Sequence, residues 1–238
     1  MQNSQQLKTV FLATHCPTNK VESFYAYSLA DTIKLFLQNG YIISPLFIND
    51  ISSSAVAKNE VLSIVYAQEF SSIVFVDYNM AWDAVALLDT VNSQYDAVAL
   101  PCVKKTSNGA IFDLDIGEQI ERDLNGFIKV NFASSAMFKL SKKLVTDLCD
   151  SNLSIINPTG NEVKNVFETN TQYGKFFNES VVLCNKIRDL GNTIWLNPSS
   201  TCANIAGNVF VADFASSLVA TQSAQATQTP EEIKSLYE

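Results

Sequence analysis

Histidine is nearly absent from this chain: His15 is the only one in 238 residues. A serine or cysteine nucleophile needs a base held against it. That base would have to be His15, and its nearest thiol, Cys16, is too close in the chain to be an easy partner. Cysteine is sparse and scattered. Cys16, Cys102, Cys149, Cys184 and Cys202 are odd in number and form no CxxC pair, which argues against a zinc site or a disulfide framework. Positive charge is also short, with 16 Lys and Arg against 24 Asp and Glu and a net charge of -8. Nonspecific binding to nucleic acid or an anionic membrane is disfavoured by that balance, because it depends on neutralising phosphates. No apolar run reaches membrane-spanning length, and Met1–Gln6 lacks the basic and apolar regions of a secretory signal. The expectation is a cytoplasmic protein with no membrane partner. Glycine-rich phosphate loops are missing too: neither GxGxxG nor GxxxxGK followed by Ser or Thr occurs.

What is present is a rhythm of strands and helices. Lys8–Ala13 reads as a first strand, followed by a polar loop at Thr14–Asn19. A helix is predicted from about Val21 to Asn39, with Gly40 where helices commonly end. Tyr41–Ile48 reads as the next strand, and the serines at 52 to 54 offer an N-cap for a helix carrying Lys58 and Asn59. Ile73–Val76 is a short apolar run ending in Asp77, Tyr78 and Asn79, the composition of a buried strand that meets a polar cleft. Asp83 can cap a short helix, and Asp96–Leu100 forms another buried strand. Alternation of this kind predicts an α/β fold in which a mainly parallel sheet is flanked by helices.

After Pro101 the pattern shortens to β-like pieces near Ile111–Leu114 and Gly126–Phe132, which predicts a mixed second half. Ser134, Ser135 and Ala136 form a run of small residues, and Ser141 is placed to cap a helix to Cys149. Residues 152–175 read as a long surface excursion with one short element. Asn178 is placed to cap a helix ending near Gly191, and Thr193–Leu196 is a further strand. Beyond Phe214 the Ser, Thr, Gln and Ala-rich composition predicts a flexible tail over residues 215–238, leaving a single domain over 1–214.

Three groups of residues then carry a resemblance: Thr14-His15-Cys16 after the first strand, Ala57-Lys58-Asn59 in the second helix, and Phe75-Val76-Asp77-Tyr78-Asn79-Met80-Ala81-Trp82. Together with Glu179–Gly191 and Ile194-Trp195-Leu196-Asn197-Pro198, their order resembles compact phage-type GT-A glycosyltransferases over residues 8 to 214. The resemblance implies a GT-A-like Rossmann-type mixed sheet and transfer of a sugar from a nucleotide-sugar donor, such as a UDP-sugar, to an acceptor hydroxyl. A hydroxymethylated base in phage DNA is among the acceptors it suggests. It places Thr14, His15 and Cys16 at the donor base, Lys58 and Asn59 near the nucleotide, and Asp77, Tyr78 and Asn79 at the DxD position. Ser134 and Ser135 fall near the donor sugar, and Glu179 stands where the acceptor-activating acid lies.

The resemblance also implies a divalent cation, Mn or Mg, held by Asp77, Asn79 and Asn204. Two of these positions depart from the pattern. Asn79 stands in place of a carboxylate and Asn204 in place of a histidine, and neutral amides are weak ligands for a hard cation. Ser180 likewise replaces an acid. Either the diphosphate is handled without a tightly held metal, with Lys58, Lys104 or Lys105 supplying charge, or transfer has been lost and the chain is a noncatalytic binding or scaffold protein. A nucleotidyltransferase on a similar sheet is a third reading.

Overall fold

All five residues of Ser72–Val76 are buried, which a strand achieves only when it is paired on both edges and covered on both faces. The computed structural model of the protein describes residues 7–106, 109–172, 174–205 and 209–218. In it Ser72–Val76, here β3, pairs in parallel with β1 (Lys8–Cys16), which pairs in parallel with β2 (Tyr41–Asn49). On its other edge β3 meets Met137–Ser141 in antiparallel register. That strand is antiparallel to Ala97–Ala99, which pairs in parallel with Ile194–Leu196, and Ile128–Val130 closes the seven-stranded mixed sheet.

Strand alternation divides the core in two. Phe11, Ala13, Ile73, Phe75, Phe138 and Leu140 point to one face. There they pack against Val61 and Leu62 of α2 (Ser54–Val65), Leu144 and Leu148 of α4 (Lys142–Ser151), and Leu183 and Ile187 of α5 (Glu179–Asp189). Val10, Leu12, Val74, Val76 and Met137 point to the other, under Tyr25 and Phe36 of α1 (Ser23–Gln38) and Leu87 and Val91 of α3 (Ala84–Asn92). The result is one domain of mixed sheet flanked by helices, as the sequence pattern predicts.

The helix starts are written in the sequence. Ser53, Asp83, Ser141 and Asn178 each accept a hydrogen bond from a first-turn N–H of the helix that follows. Gly40 and Gly191 adopt φ of 82° and 77° just past α1 and α5, a conformation that costs other residues more.

Four features differ from expectation. The first strand runs on through Cys16, so Thr14, His15 and Cys16 lie on its last residues and not in a loop. Met137–Ser141 is a central strand, with Lys139 buried in it among apolar neighbours. The excursion after α4 holds a hairpin of Ser154–Ile156 with Glu162–Lys164, and Asn170–Gln172 begins a second with Lys175–Phe177. At the carboxyl end, residues 214–218 form a helical turn whose Phe214 and Leu218 are buried in the core, so the packed chain continues to Leu218. The rest of the expected tail, 219–238, lies outside the described residues, as do the side chains of Lys104 and Lys105. Among the described residues no helix is long and apolar enough to cross a membrane.

Candidate functional site

The chain leaves β1 to form β2 on one side and crosses back to form β3 on the other, so strand order reverses between β1 and β3. Crevices beyond the carboxyl ends of strands at such a reversal are where open α/β sheets bind ligands. His15 lies at the end of β1 and Asp77 one residue beyond β3. The antiparallel strand Met137–Ser141 starts at the same edge, which brings Ser134, Ser135 and Ala136 there, and Asp77 N–H donates to the Ala136 carbonyl at 2.9 Å.

Asp77 is the hub. Its Oδ1 lies 3.7 Å from the Nζ of Lys58, whose side chain is 5% exposed while that of Asp77 is 34% exposed. Lys58 Nζ also donates to Ser135 Oγ at 2.8 Å and to the Ser135 carbonyl at 3.3 Å. Ser135 N–H in turn donates to Ser180 Oγ at 3.0 Å, with the two hydroxyl oxygens 2.9 Å apart. This chain of contacts ties α2, the strand ends and the first turn of α5 together, and Glu179 is the first residue of that turn. Burial pushes the Asp77 carboxyl above the ordinary carboxylate range; the charges of Lys58 and His15 pull it back, and that of Glu179 pushes it further. His15, Lys58 and Glu179 thus each bias the Asp77 carboxyl. His15 Nε2 must carry a proton, because it donates to the carbonyl of Ile51 at 2.5 Å.

The remaining sequence-predicted residues separate from this group by what they bond. Thr14 is buried with its hydroxyl 2.5 Å from that of Tyr25, and Cys16 is buried. Their side chains face the core, and burial raises the Cys16 thiol. Asn59 is turned away from the crevice: its Nδ2 donates to the Phe167 carbonyl, and its Oδ1 accepts from the N–H groups of Val166 and Phe167. It pins the 166–167 segment beneath α2. Tyr78 accepts from Glu22 N–H through its carbonyl, and Ser134 Oγ accepts from Ala136 N–H.

Asn79 and Asn204 meet. Asp77 to Met80 form a tight turn closed by Met80 N–H to the Asp77 carbonyl at 3.1 Å, and Met80–Ala81 then pairs with Thr201–Ile205. Across that pairing Asn79 Nδ2 donates to Asn204 Oδ1 at 3.0 Å, and Asn204 Nδ2 donates to the carbonyl of Val103 at 3.1 Å. The donor set does not fit a divalent cation. Its one carboxylate faces an ammonium, and one of its two amide oxygens is committed to an N–H. Among the described residues no group of three or more His, Cys, Asp or Glu side chains is placed to hold a metal ion.

Sequence reasoning missed the Ser135–Ser180 link and the Val103 carbonyl. Ser180 is a common residue in a first helical turn and gives no signal of its partner, and a backbone carbonyl gives none at all.

No protein-family model matches the chain, and no curated protein sequence does. Among solved structures it is similar to A197 from STIV, at 13% identity and a TM-score of 0.53, over 84% of this chain and 86% of that one. Weaker similarity extends to the inositol-1-phosphate CTP transferase from T. maritima, at 10% identity and a TM-score of 0.41 over 84% and 89%. It extends also to 4-diphosphocytidyl-2C-methyl-D-erythritol synthase from Anaerococcus prevotii, at 11% and 0.35 over 65% and 82%. The likeness to A197 is one of fold, shared over most of both chains.

Proposed function

We propose that the chain is a glycosyltransferase that moves a sugar from a nucleotide-sugar donor to an acceptor hydroxyl. The observation that supports this reading is the run of contacts from Asp77, one residue beyond β3, through Lys58 and Ser135 to Ser180, the neighbour of Glu179, 102 positions from Asp77 in sequence. In this reading Asp77 accepts hydrogen bonds from donor hydroxyls, and Lys58 and Ser135 hold its carboxylate in place. Glu179 takes the proton from the acceptor hydroxyl as its oxygen bonds to the sugar's anomeric carbon. The bond from that carbon to the diphosphate breaks, and a nucleoside diphosphate leaves. A positioned base of this kind contributes about 100- to 10,000-fold to rate.

The test is release of nucleoside diphosphate from a panel of nucleotide sugars. Acceptors offered should include glycans, proteins and DNA carrying hydroxymethylated bases, whose primary hydroxyl suits a carboxylate base. Glu179→Gln should lower turnover by at least about 100-fold while nucleotide binding persists. The neutral Asn79–Asn204 pair favours a second reading, a binding protein that keeps the crevice without the chemistry. Nucleotide binding with no turnover of any donor would select it.

A further inference from the structure

The orientation of the two amides follows from one carbonyl. Val103 O can only accept, so the amide nitrogen of Asn204 must face it at 3.1 Å. The Asn204 oxygen is thereby turned toward Asn79, whose own nitrogen must donate to it at 3.0 Å. Neither amide can flip without setting two like groups against each other. Of the two amide oxygens, that of Asn204 is committed to an N–H, so the pair offers a cation at most one neutral oxygen, that of Asn79.

The charge around the turn points the same way. Lys58 is buried, and its ammonium donates to Ser135 Oγ and the Ser135 carbonyl and lies 3.7 Å from Asp77 Oδ1. Its charge cancels that of Asp77, the one carboxylate left in the expected ligand set. A cation approaching this turn meets an ammonium and at most one neutral amide oxygen, whereas an anion meets a neutralised carboxylate and an amide N–H. Asn79 is half-buried, and its Nδ2 has a second N–H beyond the one given to Asn204.

We propose that this turn holds the diphosphate of a nucleotide directly, without a divalent cation: the second Asn79 N–H donates to a phosphate oxygen, and the Lys58–Asp77 pair removes the negative charge that would repel it. The identity of the anion rests on the glycosyltransferase reading; the exclusion of the cation rests on the amide pair and the Lys58 ammonium beside Asp77.

The experiment is calorimetric titration of the full chain with UDP, and then with ADP, GDP and CDP, first in excess EDTA and then in Mn2+. The expected dissociation constants agree within about twofold between the two buffers, and Asn79→Ala weakens binding about tenfold in both. A tenfold or greater loss in EDTA overturns the proposal and leaves the glycosyltransferase reading intact. Absence of binding in both buffers overturns that reading and the phosphate contact with it. A direct Mn2+ titration followed by electron paramagnetic resonance then decides the cation question. The wild-type chain should leave Mn2+ free, and Asn79→Asp combined with Asn204→Asp should bind it. Tight Mn2+ binding by the wild type that Asn79→Ala abolishes overturns the exclusion. Far-ultraviolet circular dichroism of each variant separates loss of a ligand from loss of the fold.

Discussion

Replacing Lys58 by Met keeps most of the apolar stem and removes its ammonium, leaving the Asp77 carboxylate without its nearest counter-charge and Ser135 without two donated hydrogen bonds. Breaking a fully buried ion pair costs about 3–5 kcal/mol, while exposed pairs are worth about 0–1 kcal/mol. Here one partner is 5% exposed and the other 34%, so water recovers part of the loss at Asp77. The expected cost is roughly 2 kcal/mol, or about 4–8 °C in Tm for a chain of this size. The pH dependence carries a sign. In the wild type the folded Asp77 carboxyl titrates above its ordinary value of 3.8. The folded state then binds more protons than the unfolded one, and stability falls as pH rises from there through the folded value. Lys58 is one of the groups that hold this rise down. Lys58→Met should therefore widen the window and steepen the fall, and Lys58→Met with Asp77→Asn should recover most of the lost stability and abolish the slope. Urea denaturation from pH 4 to 8 reads both. A loss below about 0.5 kcal/mol, or no recovery in the double variant, would refute the assignment of Lys58 as the counter-ion of Asp77.

Two further outcomes are open to measurement. Asn59→Ala removes the partners of three backbone groups at Val166 and Phe167 and should cost about 2–4 kcal/mol, with faster hydrogen exchange confined first to that segment. Burial lowers Lys139 to about 8 from 10.5, so the unfolded state holds the extra proton between those values and wild-type stability from this group rises with pH across that window; Lys139→Met should remove this rise, measured as the difference between the two denaturation curves.

The layers of the fold were legible because the local signals agreed. Capping side chains stood at Ser53, Asp83, Ser141 and Asn178, and β3 announced itself by four apolar residues running into a carboxylate. The strand Met137–Ser141 was not legible, since Lys139 interrupts its apolar run. Its burial is possible because the ammonium reaches the Tyr95 carbonyl, a partner fixed only by tertiary structure. Of the residues with formal charge, Lys58 lies against Asp77, and His15 and Glu179 bias the Asp77 carboxyl. The neutral residues sorted by hydrogen bonds that sequence does not display. Thr14 turned to Tyr25 and Asn59 to Phe167, while Asn79 found Asn204 through a pairing of two-residue length.

The contacts that make the crevice also set when it can form. Lys58 and Ser135 are 77 residues apart, Ser135 and Ser180 are 45 apart, and Asn79 and Asn204 are 125 apart. Closing loops of this length is entropically costly and slow relative to forming local helices and turns. No fragment that stops short of Asn204 contains the whole arrangement, however well its helices form. During synthesis the crevice is thus among the last parts of the molecule to exist.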